Sequence, residues 1–216
     1  MTEIPAEAFN DILIELERRP LPKNDYRAKA GSGRSQAFGL VNKRCMPVDY
    51  SRQCWKRAKL YHHILQFAEK YVTIPWTSIT LNQNYQCQKH RDKGNDGDSF
   101  LVAFGNYQGG RLRVYEGEYE GLHDIRHKPI ITDFSKVYHD VEAFTGNRYS
   151  LVFYKLSKQP AEPLPPGNVV IEDGKYLFMR GDKVITEKEG IPHPLFKNKN
   201  RVVMSVVSGN HEVSFL

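Results

Sequence analysis

The sequence has no long apolar run: its longest apolar stretches are a few residues, far short of the roughly 20 a helix needs to cross a bilayer. It has little cysteine. Cys45, Cys54 and Cys87 stand apart without the paired spacing of a zinc site or a disulfide framework, which fits free thiols in a reducing compartment. The opening Met-Thr-Glu-Ile-Pro lacks the basic and apolar regions of a secretory signal. A soluble, intracellular protein with no membrane partner is expected; a monomer is favoured, with the oligomeric state left open. Acidic residues are scarce in one stretch: from Arg18 to Lys59 twelve lysines and arginines face only Asp25 and Asp49, a net of +10, whereas the whole chain carries +6. With Tyr26, Phe38, Tyr50 and Trp55 interleaved, that segment reads either as a cationic surface for phosphates or as a solvated face.

What is present is enough for a real core: 40% apolar and 12% aromatic residues in a chain of 216. Pro5–Arg18 is predicted as an amphipathic helix, because Phe9, Ile12, Leu13 and Leu16 recur at helical spacing, and Pro20 and Pro22 stop it. Ala28–Arg34 reads as a flexible Gly/Ser loop. Ser51–Val72 reads as a second helix, with Tyr61, Ile64, Leu65, Ala68, Tyr71 and Val72 on one face. From Thr77 the period changes to two, with strands expected at 77–85, 100–107, 111–115, 130–134 and 149–156 and a tight turn at Gly109-Gly110. The expected fold class is α+β, mainly β: a double-stranded β-helix (jelly roll, cupin-like) core over 76–158 buttressed by helices in 1–75. A proline-rich linker over 159–167 and a small β appendage over 168–216, with turns at Asp173-Gly174, Gly181-Asp182 and Gly209-Asn210, complete the expected domain plan.

The chemistry concentrates at His90-Arg91-Asp92. A protein-kinase catalytic loop would need an Asn five residues after the Asp and a later Asp-Phe-Gly; residue 97 is Gly and the only Asp-Phe is followed by Ser135. In an extended segment, residues i and i+2 share a face, so His90 and Asp92 can aim at one ion while Arg91 points away. A facial triad needs one more histidine. Of His123, His127, His139, His193 and His211, His139 is best placed, just before a β run and 49 residues after His90. Two imidazoles and a carboxylate with open positions are the ligand set of non-haem Fe(II) oxygenases. Arg148 lies nine residues further on, with Ser150 on the same strand face; a buried guanidinium fork is a natural clamp for a carboxylate.

With His90-x-Asp92, His139, Arg148-x-Ser150 and the strand–Gly-Gly–strand of Phe100–Leu112 between them, the sequence resembles the Fe(II)/2-oxoglutarate-dependent dioxygenases. The ending Arg148-Tyr-Ser-Leu-Val-Phe-Tyr154 looks most like the TET/J-binding-protein branch, which includes small viral and phage members. The likeness covers roughly 77–156 and leaves the last fifty residues outside it. It implies Fe(II) held by His90, Asp92 and His139, 2-oxoglutarate anchored by Arg148 and Ser150, and O2 as oxidant. Asn82, Asn84 and Tyr85, on the strand leading to His90, are candidates to line the 2-oxoglutarate pocket. The reaction implied is hydroxylation of a substrate C–H bond. The favoured target is a methyl group on a nucleic-acid base, such as a 5-methylpyrimidine in DNA, with segment 18–59 holding the backbone. A protein or amino-acid hydroxylase and a catalytically silent binding module are the alternatives.

Overall fold

The computed structural model describes residues 2–23, 31–42 and 46–185. In chain order these form a short 3-10 turn, Ala6–Phe9, then α1 (Asn10–Arg18), β1 (Gly31–Val41), β2 (Asp49–Tyr50), α2 (Gln53–Lys56) and α3 (Ala58–Tyr71). The strands β3 (Ser78–Cys87), β4 (Ser99–Gly109), β5 (Leu112–Val114), β6 (Gly121–His123), β7 (Ile130–Thr132), β8 (His139–Val141) and β9 (Phe144–Tyr154) follow. Last come β10 (Gly167–Glu172), β11 (Lys175–Arg180) and β12 (Lys183–Ile185). The chain divides into two compact units, one from Met1–Ala37 with Thr73–Ser157, the other from Phe38–Val72 with Lys158–Leu216.

The first unit is a two-sheet jelly roll. Its larger sheet runs in the order β1-β3-β9-β4-β7 and its smaller one β6-β5-β8. β4 is continuously apolar from Phe100 to Phe104 because both of its faces are covered. Leu101 and Ala103 join Leu112, Ile130, Phe134 and Val141 in the core cluster of the unit. On the other face Phe104 stacks on Phe9 at the start of α1, ring centroids 4.5 Å apart. Gly109 and Gly110 both have positive φ, +75° and +66°, and make the tight turn that the glycine pair predicts.

The stretch expected as a flexible Gly/Ser loop is different. Gly31 and Gly33 begin β1, and they are glycine because β1 runs tight against β3: a Cβ would lie 2.4 Å from the Gln86 carbonyl oxygen at Gly31 and 2.2 Å from that of Asn84 at Gly33.

In the second unit α2 and α3 accompany the meander β10-β11-β12. The single helix expected over 51–72 is interrupted at the buried Arg57, whose backbone (φ −132°, ψ 44°) leaves the helical region; an apolar period of 3.6 does not register a break of one residue. Phe178 of β11 is fully buried among the rings of Tyr50, Trp55 and Tyr61. Asp173 and Gly174 both have positive φ (48° and 72°), as a two-residue hairpin turn requires. Strands occupy Gly167–Glu172, Lys175–Arg180 and Lys183–Ile185 in the C-terminal segment; residues 186–216, with the expected turn at Gly209-Asn210 and the candidates His193 and His211, lie outside the described residues.

Candidate metal centre

The three sequence-predicted ligands converge. His139 opens β8, and a single antiparallel bridge brings His90 beside it: each residue's N–H donates to the other's carbonyl at 3.0 Å. Asp92 N–H donates to the Phe134 carbonyl at 2.9 Å, which turns the Asp92 carboxylate back toward the histidines. His90 Nε2 lies 3.3 Å from Asp92 Oδ1, and His139 Nε2 lies 4.0 Å from Asp92 Oδ2. One donor atom from each of the three residues falls within 4.8 Å of the others. Ligands about 2.1 Å from an octahedral ion stand about 3 Å apart, so small side-chain rotations bring this set onto a common cation.

The histidines are also correctly oriented. His90 Nδ1 pairs with the Gln88 carbonyl at 2.7 Å and His139 Nδ1 with the Val137 carbonyl at 3.3 Å. With Nδ1–H donating to a carbonyl, Nε2 is the free lone pair that faces Asp92. Burial lowers the pKa of His139 and so favours the neutral, ligating imidazole. Burial alone would also lower that of His90, but hydrogen bonds to the Asp92 carboxylate and the Cys87 thiol outweigh it and raise it to about 10. Proton or metal ion, His90 and Asp92 are arranged to share a positive charge.

The three ligands open onto a cavity of about 80 Å³ that Arg148 and Ser150 also line. Arg148 is only 3% exposed. Its Nε–H donates to the Gly110 carbonyl at 3.0 Å, and the rings of Tyr107 and Phe144 flank the guanidinium at 5.5 and 5.8 Å. No carboxylate pairs with it among the described residues. A buried guanidinium with no carboxylate in contact is a strong demand for one; burial pulls its pKa down, and Tyr107, Cys87 and Asp124 offset that only in part. The donor set and the unpaired cation together fit a metal ion plus a small dianion.

Among the weaker candidates, Asn82 lines the cavity and donates to Ser150 Oγ at 3.2 Å, and Tyr85 lines it as well. Asn84 does not. Its side chain accepts the Arg148 backbone N–H at 2.8 Å and donates to Asn147 Oδ1 at 3.3 Å. Sequence reasoning missed Thr80, Asn95, Val152 and Tyr154, which share the cavity. For β9 the signal was available: Arg148, Ser150, Val152 and Tyr154 are one strand face.

Next to this cavity lies an open groove of about 930 Å³ that shares Cys87 and Val141 with it. It opens where the ladder stops. Extending the His90↔His139 register would pair Gln88 with Val141, yet the Gln88 carbonyl accepts from His90 Nδ1 and only the one bridge forms. The loop Lys93–Ser99 is tied down at its base, with Asp96 N–H on the Lys155 carbonyl at 2.9 Å and Ser157 N–H on the Gly94 carbonyl at 3.0 Å.

The basic segment 18–59 is described only in part. It runs through both units, Arg27, Lys29, Lys43 and Arg44 lie outside the described residues, Arg57 is buried, and Arg34 donates to the Leu21 carbonyl at 2.5 Å. Arg52 and Lys56 are exposed. Among the described residues no helix is long and apolar enough to cross a membrane.

This architecture is a jelly roll, and its likeness to solved structures is one of fold. It is similar to NgTET1 in complex with 5mC DNA, at TM-score 0.53 and 13% identity over 74% of this chain and 72% of that one. A Pseudomonas putida prolyl-4-hydroxylase aligns at TM-score 0.43 and 17% identity over 70% of this chain and 88% of its own. A Burkholderia pseudomallei oxidoreductase of the 2OG-Fe(II) oxygenase family aligns at TM-score 0.45 and 16% identity over 66% and 76%. No protein-family model and no curated protein matches the sequence.

Proposed function

We propose that the chain is an Fe(II)- and 2-oxoglutarate-dependent dioxygenase that hydroxylates a C–H bond, with a methyl group of a nucleic-acid base as its target. The observation that carries the chemistry is Arg148: a buried cation without a carboxylate partner among the described residues, lining the same small cavity as the two imidazoles and the carboxylate.

Bound Fe(II) with 2-oxoglutarate and O2 supplies the oxidising power that no side chain has. The residues supply position and shielding. His90, Asp92 and His139 would hold the metal ion. Arg148, with Ser150 beside it, would hold the far carboxylate of 2-oxoglutarate through charge-assisted hydrogen bonds. Leu101, Phe134 and Val152 line the cavity with apolar surface and keep bulk water from the reacting atoms. No protein nucleophile is required.

The nucleic-acid target is supported by the net charge of +6, by the Arg148-x-Ser150 ending, and by a fold neighbour that was solved with 5mC DNA. The test is succinate formation from 2-oxoglutarate by anaerobically Fe(II)-loaded protein, with and without methylated DNA. Iron-dependent turnover that rises with DNA supports both parts. Turnover that ignores DNA and RNA keeps the oxygenase and transfers the substrate search to peptides and amino acids. Failure to bind iron or 2-oxoglutarate refutes the oxygenase reading.

A further inference from the structure

Asn84 has φ +50°, a left-handed backbone that side chains other than glycine and a few polar ones avoid. It sits where the β3–β9 ladder ends. That ladder pairs Asn82 with Ser150 and Gln83 with Tyr149, and the next pair in register would be Asn84 with Arg148. Instead of a backbone carbonyl, the Asn84 side-chain Oδ1 accepts the Arg148 N–H at 2.8 Å, while its Nδ2 donates to Asn147 Oδ1 at 3.3 Å. The backbone carbonyl of Asn84 turns toward β1, where only glycine fits: a Cβ on Gly33 would meet that oxygen at 2.2 Å. The kink also changes which side chain enters the cavity. Strict alternation from Thr80 and Asn82 would bring in residue 84, yet Tyr85 lines the cavity in its place.

We propose that Asn84 is a positioning residue for co-substrate binding: it replaces the missing ladder acceptor at Arg148 and so fixes where the guanidinium fork starts from, rather than touching the ligand itself. The inference rests on the reading of the Arg148 cavity as a 2-oxoglutarate site. Strain at a left-handed asparagine persists where the surroundings demand it, and here the demand is a side-chain oxygen at a position the backbone cannot fill. Gly110 completes the support by accepting from Arg148 Nε, so the arginine is held at both its backbone and its side chain.

Three substitutions separate the parts. Asn84→Gly keeps the left-handed backbone and removes both side-chain hydrogen bonds; Asn84→Asp keeps an acceptor for Arg148 N–H; Asn84→Ala removes the bonds and adds backbone strain. Calorimetric titration of 2-oxoglutarate into anaerobic, Mn(II)-loaded protein measures the fork without turnover. Asn84→Gly is expected to weaken 2-oxoglutarate binding about five- to tenfold, the range for one buried hydrogen bond. Its Mn(II) affinity should stay near wild type, and its melting temperature should fall by no more than the few degrees that the lost hydrogen bonds cost. Asn84→Asp is expected within about twofold of wild type, and Asn84→Ala to bind as weakly as glycine and melt lower. Hydrogen exchange at the Arg148 amide should accelerate in the glycine variant alone of the first two. Wild-type 2-oxoglutarate affinity in Asn84→Gly, or parallel loss of Mn(II) binding and melting temperature, overturns the positioning role. Wild-type protein that takes Mn(II) but no 2-oxoglutarate overturns the co-substrate reading itself, and the positioning role with it.

Discussion

Replacing Gly110 by alanine tests how tightly the arginine is held. The residue sits at φ +66°, and a Cβ there would come within 2.8 Å of Arg148 Cδ, 3.0 Å of its Nε and 3.1 Å of Phe144 Cβ. The left-handed backbone costs alanine about 1 kcal/mol relative to glycine. The overlap adds about 1–3 kcal/mol, because Arg148 is buried and flanked by two rings and has little room to retreat. A total of about 2–4 kcal/mol lowers the melting temperature by roughly 5–15 °C in a chain of this size. Gly174→Ala is the control: φ is +72° but nothing lies within 4 Å of its Cβ, so only the backbone part, roughly 2–4 °C, is expected. The difference isolates the contacts with Arg148 and Phe144. The same displacement takes Arg148 Nε off the Gly110 carbonyl, and 2-oxoglutarate affinity should fall about tenfold or more, read by titration of the Mn(II)-loaded protein. If the two alanine variants melt together and Gly110→Ala binds 2-oxoglutarate like wild type, the guanidinium is not held as described.

Asp92→Ala or His139→Ala should abolish Mn(II) and Fe(II) binding, measured by calorimetry or by metal content after gel filtration. Arg148→Ala should leave metal binding intact and weaken 2-oxoglutarate by about 1.5–3 kcal/mol, roughly 10- to 150-fold. Phe178→Ala empties the centre of the aromatic cluster in the second unit and should cost about 3–5 kcal/mol, seen in denaturant unfolding. Alkaline pH should destabilise the same region. Burial pushes the Cys54 thiol up to about 12 and raises the Tyr50 and Tyr61 hydroxyls. Above pH 9 the unfolded chain therefore releases protons that the folded chain keeps, and stability falls by up to about 1.4 kcal/mol per pH unit per group. A melting temperature that is flat from pH 8 to 11 would contradict this. Below about pH 8 the native Cys54 should resist iodoacetamide while the denatured chain reacts.

The His90–Asp92–His139 cluster was legible because an extended His-x-Asp is a same-face pair, and because His139 and Arg148 follow one another along the return from β8 into β9. The β-sandwich was legible from alternation. What the sequence concealed were places where backbone, not side-chain type, decides. Gly31 and Gly33 look like a flexible loop to composition but serve close strand approach. Asn84 looks like a pocket residue by its spacing from Asn82, yet one positive φ turns it from the ligand to the arginine behind it. The break at Arg57 leaves the apolar stripe unchanged and so leaves no trace in it. Charge alone did not show which basic residues face solvent: the +10 stretch includes Arg57, which is buried, alongside the exposed Arg52 and Lys56.

The division of the chain into two units has a practical result. Each unit is made of two separated stretches, and each interrupts the other: Phe38–Val72 leaves the first unit and Thr73 returns to it, while the partner of Phe38–Val72 arrives only after Ser157. No single cut therefore yields the jelly roll alone. Ending the chain at the proline-rich 159–167 would remove Phe178 and leave the rings of Tyr50, Trp55 and Tyr61 without the side chain they surround.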